Sequence, residues 1–143
     1  IYVPGSFSKT DELVAIAGVA LSGAWRKRGT PQRLAHECWI LREEGSETRR
    51  RVASWLHRHH LAPARSMTFE GPDAVKRAVM AGLGVSIVSR LTVQDELASG
   101  RLVDLRLDSP LFRRQFTVID HPQKHHGAAC RAMLTAFEKI RSL

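Results

Sequence analysis

The sequence predicts an α/β fold, helices layered on a mainly parallel sheet, and three observations predict it. Residues 38–56 (CWILREEGSETRRRVASWL) read as a buried strand, a turn carrying Gly45 and Ser46, and an amphipathic helix. Residues 71–88 repeat that alternation in reverse order: a helix opened by Gly71 and Pro72 and ended by Gly82, then the apolar run LGVSIV. Throughout the chain, strands and helices alternate without internal repeats or low-complexity tracts, which argues for α/β layers built around that sheet.

The totals set the frame. A chain of 143 residues suits one domain or two small lobes and can bury a proper core. Hydrophobic content of 43% and charged content of 25% are those of an ordinary soluble globular protein. No apolar run approaches the ~20 residues of a membrane span, and no signal peptide precedes the first strand. The first residue is Ile1 rather than methionine, which suits a fragment or a processed product. Cys38 and Cys130 lie far apart in apolar surroundings and read as small hydrophobes in a reducing compartment, with a disulfide between them as the alternative. The net charge of +8 is compatible with polyanions, but no nucleic-acid recognition motif accompanies it.

In chain order, residues 1–10 mix Gly, Pro, Ser and Thr and read as a tail or crossover segment. Residues 12–17 (ELVAIA) suit a buried strand. Residues 22–29, with Trp25 and the basic Arg26, Lys27 and Arg28, read as a solvated loop. Thr30 and Pro31 look like the N-cap and first residue of a single helical turn ending near His36. After Ser46, the positions of Val52, Trp55, Leu56 and His59 keep helical spacing, and the helix should end near His60, before Pro63. Residues 67–70 suit a brief strand. In the helix from Gly71, Val75, Ala78 and Val79 point inward. Thr92 and Asp95 resemble a capping box opening a short helix that Gly100 closes. Residues 102–107 alternate Val103, Leu105 and Leu107 with Asp104 and Arg106, the pattern of a half-exposed strand. Ser109 and Pro110 turn the chain into a strand over 115–120. Ala129, Met133, Ala136, Phe137 and Ile140 mark a final amphipathic helix.

Chemistry is sparse. There is no nucleophile elbow, phosphate-binding glycine loop, dinucleotide fingerprint or Cys-x-x-Cys. Glu43 and Glu44 are adjacent at a strand end and point apart, so they make a poor acid/base pair. His57, His59 and His60 share one helix, and His121, His125 and His126 cluster later; both groups read as solvated histidines rather than metal ligands. Ser46 and Thr48 are more informative. Taken alone they are an N-cap and a polar first turn. Alternatively, their hydroxyls and the free N–H groups of the helix start could meet an anion, with Arg42 or Arg49 close by. Gly71, Pro72 and Asp73 admit the same two readings, helix initiation or a ligand rim. Both turns could lie where ligands bind in open α/β sheets, beyond the carboxyl ends of the strands.

Three segments, WILREEGSETRR, EGPDAVKRAVMAGLGVSIVSR and DELASGRLVDLRL, in this order and at these spacings, resemble the effector-binding domain of LysR-type transcriptional regulators. In that family a tryptophan-led strand runs into a Gly-Ser-x-Thr-Arg turn, matched here by Trp39 and residues 45–49. A helix containing Ala-Val-x-Ala-Gly-Leu-Gly follows, matched by 78–84, and then an acidic-Leu-x-x-Gly-x-Leu segment, matched by 96–102. Residues 11–141 fit the pattern. The stretch ALSGAWRKR at 20–28 departs from it, lacking the family's usual His-Pro-Leu.

The resemblance implies a periplasmic-binding-protein-like (type II) fold of two α/β lobes with an effector between them. Residues 1–10 would be a crossover or tail segment, 11–110 effector-binding lobe II, mostly complete, and 111–143 a strand and helix returning to a partial lobe I. The family's winged helix-turn-helix and the opening of its first lobe have no counterpart here. The implied function is that of a cytoplasmic ligand-sensing domain of a DNA-binding regulator, not an enzyme. Its partners would be a small polar or anionic effector and further copies of itself, as a homodimer or larger oligomer. DNA would be reached only through a helix-turn-helix absent from this chain, and no membrane, cofactor or metal is implied. The effector-binding residues would be Ser46, Thr48, Arg49, Gly71 and Asp73. The competing readings are a solute-binding protein of a transporter, which shares the fold, and an enzyme on the same scaffold.

Overall fold

The long strand β1 (Val3–Gly18) organises the sheet. The computed structural model describes residues 3–22, 30–107, 109–120, 123 and 125–141. Two compact units emerge: residues 12–113 form one, and residues 1–11 with 114–143 form the other. Residues 3–10, read above as a tail or crossover segment, are the first part of β1. Of the expected basic loop at 22–29, residues 23–29 lie outside the described residues.

After β1 come α1 (Val19–Ser22), α2 (Pro31–Leu34) and β2 (Cys38–Arg42). Then follow α3 (Glu47–Arg58), β3 (Arg65–Phe69), α4 (Gly71–Met80) and β4 (Val85–Ser89). A 3-10 turn (Arg90–Thr92), α5 (Gln94–Ala98), β5 (Leu102–Asp104) and a second 3-10 turn (Pro110–Phe112) complete the larger unit. The chain ends with β6 (Arg113–Asp120) and α6 (Ala128–Arg141). The strand order is β3-β2-β4-β1-β5, with β6 also pairing with β1. β2 is parallel to β3 and β4, whereas β1 is antiparallel to both β4 and β5. The sheet is therefore mixed, with β1 as the reversed strand inside an otherwise parallel set.

Side chains alternate across a strand, and β1 uses both sides. Leu13, Ala15 and Ala17 join one core with Trp39, Val52, Trp55, Leu56, Val85, Ile87 and Phe112, which places α3 on that face. Val14 and Ile16 join the other with Ile40, Val75, Ala78, Val79, Val88 and Val93, which places α4 there. A strand covered on both faces reads as a continuous apolar run, which is why ELVAIA shows no polar alternation. Trp39 is fully buried, and its Nε1–H donates to the Leu34 carbonyl at 2.9 Å, fixing α2 against β2. Its ring lies 6.0 Å from that of Trp55, which also contacts Phe112 at 5.8 Å.

Two local expectations are corrected. The capping box at Thr92 and Asp95 does not form: the Thr92 hydroxyl donates to the Ser89 carbonyl at 2.8 Å, and α5 begins after Val93 without a side-chain cap. The 3-10 turn claims that hydroxyl first. The strand expected over 102–107 stops at Asp104, because Arg106 adopts a left-handed φ of 53° and the Asp104 carboxylate accepts its N–H at 2.7 Å. Its burial phase also differs, with Leu102 and Leu105 buried and Val103 half-buried. The final amphipathic helix forms as α6, with Met133 of its apolar positions 61% exposed.

Gly84 stands where β4 approaches the β2 backbone so closely that a Cβ would collide with the Cys38 carbonyl. Backbone atoms of paired strands cannot yield as a flexible side chain does. Gly84→Ala is expected to destabilise the fold by about 1–3 kcal/mol or more, seen as a lower midpoint in urea denaturation with an unchanged slope.

Candidate functional site at the ends of two parallel strands

β2 and β3 run side by side in the same direction, with Arg42 opposite Phe69 where both end. The Glu43 N–H extends the ladder by donating to the Phe69 carbonyl at 3.1 Å. From β2 the chain passes through Gly45 into α3, and from β3 it passes through Glu70 into α4. Because α3 and α4 pack on opposite faces, the chain leaves neighbouring strand ends in opposite directions. In open α/β sheets ligands bind beyond the carboxyl ends of the strands where neighbouring chains part in this way, here between two helix starts.

Ser46 is the N-cap of α3. Its Oγ accepts from the Arg49 N–H at 3.4 Å, a long capping bond, and its carbonyl accepts from the Arg50 N–H at 3.1 Å. Thr48 is buried, 7% exposed, and shares the inward face of α3 with Val52, Trp55 and Leu56. The spacing 48, 52, 55, 56 is itself an i, i+4, i+7, i+8 stripe, a signal legible in the sequence. Arg49 sends Nη1 to the Arg42 carbonyl at 2.7 Å and to Thr68 Oγ1 at 3.2 Å, tying the first turn of α3 to the ends of β2 and β3. Gly71 adopts a φ of 77°, and a Cβ there would meet nothing within 4 Å, so the dihedral alone explains the glycine. Asp73 projects outward with 81% of its side chain exposed, 3.5 Å from Lys76 Nζ. Lys76 also pairs with Glu96 at 3.1 Å, linking α4 to α5.

Arg42 and Glu43 were weighed above only as a neighbouring cation and as half of a poor acid/base pair; in the fold they form the centre of the rim. Glu43 Oε1 accepts from Arg42 Nη2 at 2.6 Å, and Oε2 from Arg42 Nε at 2.7 Å, a bidentate pair. Oε2 also accepts the Gly71 N–H at 3.1 Å, so a residue after β2 caps the start of α4. The hydrogen bonds from Arg42, then that from Glu43's own backbone N–H, hold the Glu43 carboxyl down at about 2 against desolvation, with the Gly71 N–H adding to them. No sequence signal links Glu43 to Gly71, which lies 28 positions away.

The basic run at 49–51 is largely satisfied within the chain. Arg50 and Arg51 both pair with Glu47, and Arg51 Nη1 also donates to the carbonyls of Leu111 and Arg113. His59 packs its ring 4.6 Å from Trp55. Among the described residues no three His, Cys, Asp or Glu side chains converge on a metal position; His121 lies outside them. No helix among them is long and apolar enough to cross a membrane.

Residues 9–140 match the LysR substrate binding domain. The chain belongs to that family. Over 124 residues it is 38% identical to the uncharacterized HTH-type transcriptional regulator YeiE of Escherichia coli K12, which covers 87% of this chain and 42% of YeiE. Over 109 residues it is 34% identical to the HTH-type transcriptional regulator CbbR of Rhodospirillum rubrum, covering 76% of this chain and 37% of CbbR. The chain thus spans less than half the length of these regulators. Among solved structures it resembles the CcmR regulatory domain of Synechocystis PCC6803 in complex with 2-PG, with a TM-score of 0.75, 26% identity, and coverage of 99% of this chain and 66% of that one. The effector binding domain of QuiR, solved with shikimate, has the same fold at a TM-score of 0.73 and 18% identity, with coverage of 99% and 65%. These LysR regulatory domains have the periplasmic-binding-protein-like type II fold that the sequence resemblance implied.

The depressed Glu43 carboxyl has a pH consequence. A group whose folded pKa is lowered contributes stability above its unfolded value, ordinarily near 4.5, and loses it as pH falls through the folded value of about 2. Thermal melts between pH 4.5 and 2 should therefore fall more steeply for the wild type than for Glu43→Gln, whose amide does not titrate in that window.

Proposed function

We propose that this chain is the effector-sensing part of a LysR-type transcriptional regulator, and that a small polar or anionic metabolite binds at the rim where α3 and α4 begin. One observation carries this reading: the LysR substrate binding domain match spans a fold in which two helix starts flank adjacent parallel strand ends. The names of the relatives support the regulatory role, and the bound 2-PG in the CcmR domain supports small-molecule sensing.

Within this reading, Ser46 and Thr48 supply hydroxyls at the α3 start, Gly71 and Asp73 mark the α4 start, and Arg49 holds the two strand ends in place for both. The effector acts by preferring one conformation of the domain, so the free energy of its binding shifts the arrangement of a homodimer or larger oligomer on DNA. DNA contact belongs to a helix-turn-helix outside this chain, and the protein works in the cytoplasm. A transporter's solute-binding protein shares the fold, but the relatives' names give that reading no support.

A thermal-shift screen of metabolites tests the proposal. A true effector at a hundredfold excess over its Kd should stabilise the domain by about 2.7 kcal/mol. Ser46→Ala, which gives up about 1 kcal/mol of helix capping, and Thr48→Val, which keeps the shape and deletes the hydroxyl, should each fold and lose most of that stabilisation. Full stabilisation of both variants by the same metabolite would put the pocket elsewhere.

A further inference from the structure

Among the described residues of the smaller unit only Asp11 is buried, at 2% exposure, and it carries a charge. Its Oδ2 accepts from Arg114 Nε at 2.7 Å, and the Arg114 side chain is itself only 12% exposed. The Arg114 guanidinium also lies over the Phe116 ring, 4.9 Å from its centroid. The two charged residues stand 103 positions apart, on β1 and β6, which pair with each other. Both mark the places where the chain passes between the units, just after Asp11 and just before Arg114. Their neighbours are held by the larger unit. Glu12 accepts from Arg90 at 3.0 Å, and the Arg113 carbonyl accepts from Arg51 at 3.2 Å.

Pairing register is set strongly where one face of a strand is buried, and weakly where both faces are polar or open. From Arg113 to Val118 every residue of β6 is exposed or half-buried, and on β1 Lys9 is half-buried and Thr10 exposed. Apolar burial along these positions therefore selects no alignment of β6. A buried carboxylate does select one. An alignment that parts Asp11 from Arg114 takes a charge-assisted hydrogen bond from a group already stripped of water, which is far more costly than shifting an exposed residue. We infer, without recourse to the rim residues, that Asp11 and Arg114 form a register lock that fixes β6 on β1 at the joint between the units. A slip of one residue, about 3.3 Å along the strand, would turn every side chain of β6 to the other face and carry α6 with it. Choosing a register, at some expense in stability, is the use for which a buried polar pair is best suited.

The test is NMR with amide hydrogen exchange on the whole chain carrying Asp11→Leu together with Arg114→Met, apolar side chains of similar shape that remove both charges. The wild type should give one resonance per amide over 114–120 and one set of contacts between β1 and β6. In the double variant the amides of 38–89 should keep their wild-type positions. Those of 114–120 should split into more than one set and exchange at least about tenfold faster. Arg114→Lys keeps the charge opposite Asp11 and should keep the single set. A double variant with one set of resonances and wild-type exchange over 114–120 would overturn the inference, because the backbone ladder alone would then hold the register. Faster exchange without splitting would overturn it too, since β6 would be weaker in one alignment. Exchange quickened equally over 38–89, or loss of the fold, would make the pair a general source of stability and refute the lock. Splitting in Arg114→Lys as severe as in the double variant would rule out the charge pair as its basis.

Discussion

Everything in the larger unit depends on β1 being buried on both faces. Its odd positions, Leu13, Ala15 and Ala17, build the core that seats α3, and its even positions, Val14 and Ile16, build the core that seats α4. A slip of one residue would send each set to the wrong side, so two separate cores hold the register in common. The small residues Ala15 and Ala17 leave room for the Trp39 and Trp55 rings, while the other face is packed by β-branched Val and Ile. With helices held on opposite faces, neighbouring parallel strands must feed them in opposite directions. The parting of the chain at the ends of β2 and β3 is the geometric result.

Backbone donors concentrate at these strand ends, and the chain answers them with its own groups. Arg49 closes the carbonyl end of β2, Ser46 closes the first turn of α3, and Glu43 closes the start of α4 while engaging Arg42. Such self-satisfaction is what buried or half-buried polar groups require in a folded protein. Electrostatics there is set by a carboxylate held ionised well below the usual carboxylate range, not by the helix dipole alone.

Several elements were legible from local chemistry. Gly45 and Ser46 announced α3, Gly71 with Pro72 announced α4, and Gly82 ended it, because turn and cap residues act within a few positions of themselves. The core residues Val52, Trp55, Leu56, Val75, Ala78 and Val79 followed from helical spacing. The misreadings arose where a competing local bond won: Thr92 served the 3-10 turn rather than α5, and Arg106 left the extended region after Asp104 accepted its N–H. The burial of Thr48 was legible too, since its place on the inward stripe follows from the same spacing that identified its apolar neighbours.

By itself, then, the sequence determined the order of elements, the two amphipathic helices on their turns, and the family, because each of these rests on residues close together in the chain or on motifs in register. Only the tertiary structure decided that β1 runs against its neighbours, that α3 and α4 part to opposite faces, and that Glu43 reaches Gly71. The reason is physical. Strand pairing and ion pairing join residues tens of positions apart, and such contacts are selected by the packing of the whole sheet, which no local pattern encodes.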